Sequence, residues 1–233
     1  MPARIDVHAH LLPDYLREAL LAGGRAPSSG YYPPWSPEIA LDLMGRHDIA
    51  AQVISASSPG VHFGDDTAAR ALARRVNETI ADMAARWPRR FGGFVTLPLP
   101  DVDGALREIE YGLDQLRLDG VCLFASYVGG FLGDAKFDPV LAELDRRGAT
   151  VFVHPSGYGA SPPTGLPWPP FMMEFLFDTT RAAVNLLFSG ALDRYPRIRF
   201  ILSHAGGVLP YFSWRLGVAP MISERLPRWS YLG

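Results

Sequence analysis

The chain has 233 residues, a formal charge of −2 and a pI near 6.3, with 48% apolar and 20% charged residues. This composition predicts a single globular domain over residues 1–233 and excludes a disordered chain, and the lack of a basic excess argues against nucleic acid as a partner. Because no uncharged apolar run reaches the roughly 18 residues of a membrane span and no leader precedes the first strand, we expect a cytoplasmic protein without membrane contact.

Short β-rich runs alternate along the chain with amphipathic helical stretches, which is typical of βα units around a parallel sheet. The predicted strands cover residues 4–8, 52–55, 91–97, 119–124, 150–154 and 199–203. Helical patterns cover residues 36–47, 66–87, 103–117, 138–147 and 172–193, and a last helix is expected after His204. The pattern predicts an α/β fold of the TIM (β/α)₈ barrel type.

The predicted strand count falls short of a closed barrel. Six strands are found, whereas a closed barrel has eight and typically about 250 residues. We therefore expect a barrel truncated after the sixth βα unit, either because the chain is a fragment of a longer protein or because its sheet stays open and is covered at the edges. Open edges and the apolar segment VLPYFSWRLGVAPM predict a homodimer or a larger assembly.

Two irregular stretches are predicted to cover the end of the barrel. Residues 155–171 are rich in proline and glycine, and residues 23–36 carry the aromatic side chains Tyr31 and Trp35. Long loops at the catalytic rim are usually functional. The two aromatic side chains would stack on a flat substrate, or instead pack their loop onto the barrel.

Four histidines lie at or just past the ends of predicted strands: His8, His10, His154 and His204. In a parallel barrel they would meet at one rim, where barrel enzymes keep their chemistry. Alternation along the first strand places Asp6, His8 and His10 on the same face. Imidazoles in this arrangement suit a divalent metal, with zinc as our choice and manganese as the alternative.

The individual histidines admit other roles. His154 would alternatively be a core histidine bonded to the backbone. His204, which precedes two glycines, would be a fourth ligand or a general acid/base.

Asp6 is expected to support the metal-binding histidines without contacting the metal itself. Arg181 would contact a substrate carboxylate or pair with Asp178 on its own helix.

The motifs DVHAHLLP, VFVHP and LSHAGGVLPYF, in this order and spacing, resemble those of the amidohydrolase-2 family. That family includes aminocarboxymuconate-semialdehyde decarboxylase and γ-resorcylate decarboxylase, and the stretches SPEIALDLM, RRFGGFVTLPLPD and DTTRAAVNLLFSG are most similar to its 6-methylsalicylate decarboxylase branch. The resemblance implies that His8, His10 and His154 bind the metal and that His204 is catalytic. The family's further aspartate ligand, which follows the eighth strand in a GSD-type motif, has no counterpart in this sequence.

The resemblance implies a metal-dependent carbon–carbon lyase that decarboxylates a hydroxylated aromatic carboxylic acid without oxidation. The first alternative is a metal-dependent hydrolase of the same superfamily, such as a lactonase, which would activate water with the same ligands. The second alternative is a binding protein or a catalytically impaired fragment that keeps the barrel motifs.

Overall fold

The computed structural model describes residues 4–25, 31–156 and 168–223, and within them six parallel strands form one curled sheet. The strands are β1 (Arg4–Leu11), β2 (Ile49–Ala56), β3 (Phe91–Thr96), β4 (Gly120–Phe124), β7 (Thr150–His154) and β8 (Arg199–Leu202). They pair in the order β1-β2-β3-β4-β7-β8. The architecture is a half-barrel of the TIM type, so the predicted fold class is confirmed.

Helices follow the strands and cover the outer face of the sheet. They are α1 (Asp14–Ala22), α2 (Pro37–Arg46), α3 (Asp66–Arg86), α4 (Val102–Glu110), α5 (Asp138–Arg147), α6 (Glu174–Phe188), α7 (Ala191–Arg194) and α8 (Leu209–Ile222). Side-chain caps explain several starts: Ser36 accepts the backbone N–H of Ile39, and Asp65 accepts that of Ala68. Helix α5 ends at Gly148, whose positive φ of 60° suits glycine.

Alternation along the strands separates two apolar layers. In β7, Val151 and Val153 join the main core against the helices, whereas Phe152 lies in the inner cluster with Phe94 and Cys122. A side chain two positions after an inward-facing residue also faces inward. His154 follows Phe152 at this spacing and therefore lies on the inner face, at the carboxyl end of the strand.

Several elements differ from the sequence prediction. A short antiparallel hairpin, β5 (Ser126–Tyr127) with β6 (Gly130–Phe131), follows β4 and was not predicted. The single helix predicted over 172–193 is divided by Gly190, whose φ of 75° lies in the left-handed region. Of the two irregular stretches predicted to cover the barrel end, residues 157–167 and 26–30 lie outside the described residues.

The sheet ends on β1 at one side and on β8 at the other within the described residues. Its curl nevertheless lets side chains from the two edges meet, since the ring centroids of His8 in β1 and His204 just after β8 lie 4.9 Å apart. The expectation that two further βα units exist stays a prediction. No described helix combines the length and apolar character needed to cross a bilayer.

A buried amide joins helix α3 to the end of β3. The Asn77 side chain is fully buried, accepts the backbone N–H of Thr96 at 2.7 Å and donates to the Thr96 carbonyl at 2.9 Å. It also donates to the Glu108 carboxylate at 2.9 Å, which in turn accepts from Arg74. Asn77 therefore satisfies the backbone where β3 leaves the sheet.

We expect Asn77→Ala to lower the free energy of unfolding by about 2 to 4 kcal/mol, because it strands a buried N–H and a buried carbonyl. Urea denaturation followed by circular dichroism measures the loss. Asp82→Ala, at an exposed position of the same helix, is the control and should stay within about 0.5 kcal/mol of the unsubstituted chain. Equal effects of the two substitutions would contradict the assigned role.

Candidate metal centre

Four imidazoles meet at the carboxyl end of the curled sheet. The ring centroids of His8 and His10 lie 5.0 Å apart, and those of His8 and His154 lie 5.1 Å apart. His10 and His154 are separated by 4.8 Å. The ring of His204 stands beside this group, 4.9 Å from His8 and 5.9 Å from His154. Parallel strands thus bring to one place the histidines that the sequence scatters over almost 200 positions.

A bulge in β1 sets the direction of its histidines. Asp6 pairs with Gln52 and Ala9 pairs with Ile54, so β1 advances three residues while β2 advances two. The extra residue lets Val7 pack in the inner apolar cluster while His8 and His10 also face inward. The regular alternation used in the sequence analysis placed Asp6 on the face of His8 and His10, and the bulge makes that placement wrong.

Asp6 instead faces the outer side of the sheet with its neighbour Gln52. One carboxylate oxygen accepts the backbone N–H of His8 at 2.9 Å, and the other accepts from the Gln52 amide at 3.2 Å. Within the bulge, a backbone N–H loses its regular ladder partner. The Asp6 carboxylate thus satisfies the main chain of His8 from the opposite side of the strand.

His154 has a defined tautomer. Its Nδ1 lies 2.8 Å from the carbonyl oxygen of Pro155. A carbonyl oxygen only accepts, so Nδ1 carries the proton and donates it. The Nε2 lone pair of the neutral ring is then available to a metal.

The environment disfavours protonation of the cluster. Desolvation, and next the neighbouring His8, lowers the pKa of His10 to about 4. Burial, followed by repulsion from His10, lowers the pKa of His154 well below its usual value. The pKa of His8 is lowered by burial and then by His204, and partial desolvation lowers that of His204. All four rings are therefore neutral near pH 7, as metal ligands must be.

His204 lies in a turn of unusual backbone conformation. His204 and Ala205 have φ values of 53° and 55°, and Gly206 and Gly207 continue with 80° and 66°. Non-glycine residues in this region are strained and persist only where the surroundings hold them. Here Thr180 of α6 accepts the backbone N–H of Val208 at 2.9 Å, just beyond the turn.

A second side chain of α6 holds the segment after β7. Asp178 is 2% exposed, and one carboxylate oxygen accepts from the Ser126 hydroxyl at 2.8 Å. The other accepts the backbone N–H of Ser156 at 2.6 Å. Burial raises the pKa of Asp178, and the donors from Ser156 and Ser126 oppose that rise. Helix α6 therefore anchors the exits of both β7 and β8.

Sequence reasoning missed this role of Asp178, which it treated only as a pairing partner for Arg181 on the same helix. The signal was present in the helical period, because Asp178, Ala182 and Leu186 follow one another at four-residue intervals and are all buried. A carboxylate on the buried face of a helix needs donors. Those donors come from β5 and from the loop after β7.

Apolar rings surround the histidines. Phe152 lies 5.2 Å from His8, and Phe124 lies 6.0 Å from His154, between ring centroids. Phe175, in the first turn of α6, lies 6.1 Å from His154 and 6.3 Å from His204. The sequence analysis did not single out these rings, since they read as ordinary core residues. Together they give the cluster apolar walls.

The other predicted site residues lie as follows. The guanidinium of Arg181 is exposed on α6, 3.8 Å from the Glu174 carboxylate. Tyr31 is 66% exposed, whereas Trp35 packs against the main core, as in the alternative in which the aromatic loop packs onto the barrel. Contact of these residues with a substrate stays a prediction.

The three-histidine group fits a divalent metal. Among the described residues, His8, His10 and His154 form the group whose ligand atoms all lie within 4.8 Å of one another. The nitrogens are neutral, and the tautomer of His154 leaves Nε2 available. Three imidazoles are a protein donor set of catalytic zinc sites.

Comparison with known proteins gives consistent relatives. The model of the family described as "Amidohydrolase" matches residues 5–230. The chain is 43% identical over 219 residues to 6-methylsalicylic acid decarboxylase of Penicillium expansum, covering 91% of this chain and 67% of that protein. It spans about two thirds of the length of curated relatives of this kind.

Solved structures show the same fold. A crystal structure described as amidohydrolase II superposes with a TM-score of 0.87 at 31% identity, covering 92% of this chain and 71% of that one. A dihydroxybenzoic acid decarboxylase from Polaromonas sp. JS666, with bound manganese and 2-nitroresorcinol, gives 0.76 at 25% identity. That match covers 99% of this chain and 74% of the Polaromonas chain.

The turn that carries His204 generates a stability prediction. A Cβ at Gly207 would overlap the Leu176 carbonyl oxygen, whereas one at Gly206 would meet nothing closer than 3.8 Å. Both glycines have positive φ, so Gly206→Ala isolates backbone strain and Gly207→Ala adds the steric overlap. We expect Gly207→Ala to lower the free energy of unfolding by about 2 kcal/mol more than Gly206→Ala. Chemical denaturation measures the difference, and equal losses would contradict the packing described.

Proposed function

The chain belongs to the amidohydrolase family, and from this membership and its histidine cluster we propose that it catalyses the metal-dependent, non-oxidative decarboxylation of a hydroxylated aromatic carboxylic acid. The substrate class follows from the 6-methylsalicylic acid decarboxylase to which the chain is similar. The observation that carries the proposal is the group of three imidazoles at the carboxyl end of the sheet, with His204 beside it.

In this proposal His8, His10 and His154 hold the metal. Bound there, a divalent metal would hold the substrate carboxylate and its neighbouring hydroxyl oxygen and withdraw charge from the ring. Zinc is proposed because imidazole nitrogen suits it. Manganese is the alternative, supported by the metal bound in the Polaromonas decarboxylase.

His204 is proposed as the residue that moves the proton. Decarboxylation requires that the ring carbon bearing the carboxylate gain a proton, that its bond to the carboxylate break, and that the bonding electron pair return to the ring as carbon dioxide leaves. A neutral imidazole can take a proton from the substrate or solvent and pass it on. The ring of His204 lies 4.9 Å from that of His8, one of the proposed metal ligands.

The apolar walls support an aromatic substrate. Phe175 is partly exposed beside His154 and His204, whereas Phe124 and Phe152 are buried against His154 and His8. Such surfaces favour a flat ring by stacking or edge contacts and exclude water from the reacting carbon. Tyr31, Trp35 and Arg181 are kept as proposed substrate contacts.

An assembly of two or more copies is part of the same proposal. The supporting observation is the exposure of large apolar side chains on α8, where Tyr211 is 86% and Trp214 is 81% exposed. Surfaces of this kind mark interaction sites in soluble proteins. The cytoplasmic location stays a prediction.

Metal content tests the ligand set. We expect the purified chain supplied with zinc or manganese to retain about one ion per chain, and His154→Ala to retain almost none, because two imidazoles alone hold a divalent ion weakly. Plasma mass spectrometry after dialysis measures the content. His47→Ala, at the end of α2, is the matched control and should keep the ion. Full occupancy in His154→Ala would remove that residue from the ligand set.

Turnover tests the role of His204. With 6-methylsalicylate as substrate, we expect His204→Asn to keep its metal and lose at least about 100-fold in the rate of carbon dioxide and 3-methylphenol formation, since general acid/base groups contribute on this scale. Chromatography of the product gives the rate, and His47→Asn is the control. Loss of metal in His204→Asn would make the residue a ligand.

The same assay distinguishes the proposed decarboxylase from the alternative hydrolase. A chain that opens members of a lactone panel and releases no carbon dioxide from 6-methylsalicylate or 2,3-dihydroxybenzoate would refute the decarboxylase. A metal-loaded chain inert toward both panels would favour a binding protein.

A further inference from the structure

One peptide group connects a buried carboxylate to a histidine of the cluster. The carbonyl of Pro155 accepts the Nδ1 proton of His154 at 2.8 Å, and the N–H of the same peptide, contributed by Ser156, donates to Asp178 at 2.6 Å. This peptide is trans. In a planar trans peptide the carbonyl and the N–H point in opposite directions, so fixing one fixes the other.

The Asp178 carboxylate is itself held in place. Its second oxygen accepts from the Ser126 hydroxyl at 2.8 Å, and the residue is 2% exposed on the inner face of α6. Both oxygens therefore have donors from segments other than α6. The carboxylate cannot turn away from Ser156 without breaking both hydrogen bonds, the one from the Ser126 hydroxyl and the one from the Ser156 N–H.

We propose that Asp178 is a positioning residue for His154, acting through the Pro155–Ser156 peptide to hold the imidazole in its Nδ1–H tautomer with Nε2 presented to the histidine cluster. Hydrogen bonds in such a chain polarise one another, so the carboxylate strengthens the acceptor that His154 uses. Partners that fix the other ring nitrogen of a ligating histidine raise its basicity and set its orientation. The inference deepens the proposed function and rests on it for the metal.

The test begins with the metal-free chain. Two-dimensional ¹⁵N–¹H spectra of the imidazoles report the tautomer of each histidine. We expect His154 to be a single Nδ1–H tautomer in the unsubstituted chain and a mixture with the Nε2–H form in Asp178→Ala. Asp178→Asn keeps an oxygen that can accept from Ser156 and should restore the single tautomer.

Metal affinity is the second measurement. Competition of zinc with a chromophoric chelator should show about a 10- to 100-fold loss of affinity in Asp178→Ala, the range found for partners behind a ligand, and a much smaller loss in Asp178→Asn. Glu108→Ala is the matched control, because it removes another buried carboxylate, one that accepts from Arg74 and Asn77. It should lower stability without changing the tautomer or the affinity.

The outcomes distinguish a positioning role of Asp178 from a purely structural role, and they distinguish failure of this inference from failure of the proposed metal site. A folded Asp178→Ala with His154 still wholly Nδ1–H would overturn the inference, as would a change of equal size in Glu108→Ala. If Asp178→Ala does not fold, Asp178→Leu combined with Ser126→Ala decides, since it fills the space of the carboxylate, leaves no stranded Ser126 hydroxyl and offers the Ser156 N–H no acceptor. A mixed tautomer there supports the inference, and an unchanged one overturns it. An unsubstituted chain that binds no zinc would refute the metal site while the tautomer measurement still decides the inference.

Discussion

Helix α6 hydrogen-bonds the segments that follow two strands, and the candidate site depends on this constraint. Asp178 holds the peptide after β7 and Thr180 holds the backbone after β8, two residues apart on one helix. The strands deliver His154 and His204 only to the neighbourhood of each other. Their final positions are set by the two segments that α6 anchors, one of which contains His204 in a strained turn. A rigid helix thus supplies the accuracy that loops alone would lack.

The cluster is also an electrostatic arrangement. Imidazoles packed within about 5 Å of one another and partly removed from water resist protonation, because each added charge would face its neighbours in a low dielectric. Perturbed groups of this kind concentrate at functional sites. The apolar rings of Phe124, Phe152 and Phe175 strengthen the effect by excluding water. Burial among these rings therefore keeps the nitrogens neutral.

Much of this could be predicted from the sequence, and the failures have a common cause. The six strands and the gathering of His8, His10, His154 and His204 followed from short apolar runs and the parallel topology they imply. The inward direction of His154 follows from regular alternation after Phe152, but the face of Asp6 did not, because a bulge has no marker in composition. Asp178 and Phe175 were missed because their partners, such as Ser126 and His204, are distant in the sequence. Local pattern indicates which element a residue belongs to, and not which element it contacts.

The bulge in β1 makes the candidate site sensitive to the deletion of a single residue. One additional residue between Asp6 and Ala9 allows Val7 to complete the inner apolar layer while His8 turns toward its partner histidines. Deleting one codon there would leave the amino-acid composition almost unchanged and restore an ordinary ladder, yet the strand could no longer supply both the apolar side chain and two imidazoles to the same face. The number of residues between Asp6 and Ala9 therefore matters as much as their identity, because it decides which side chains of β1 face the histidine cluster.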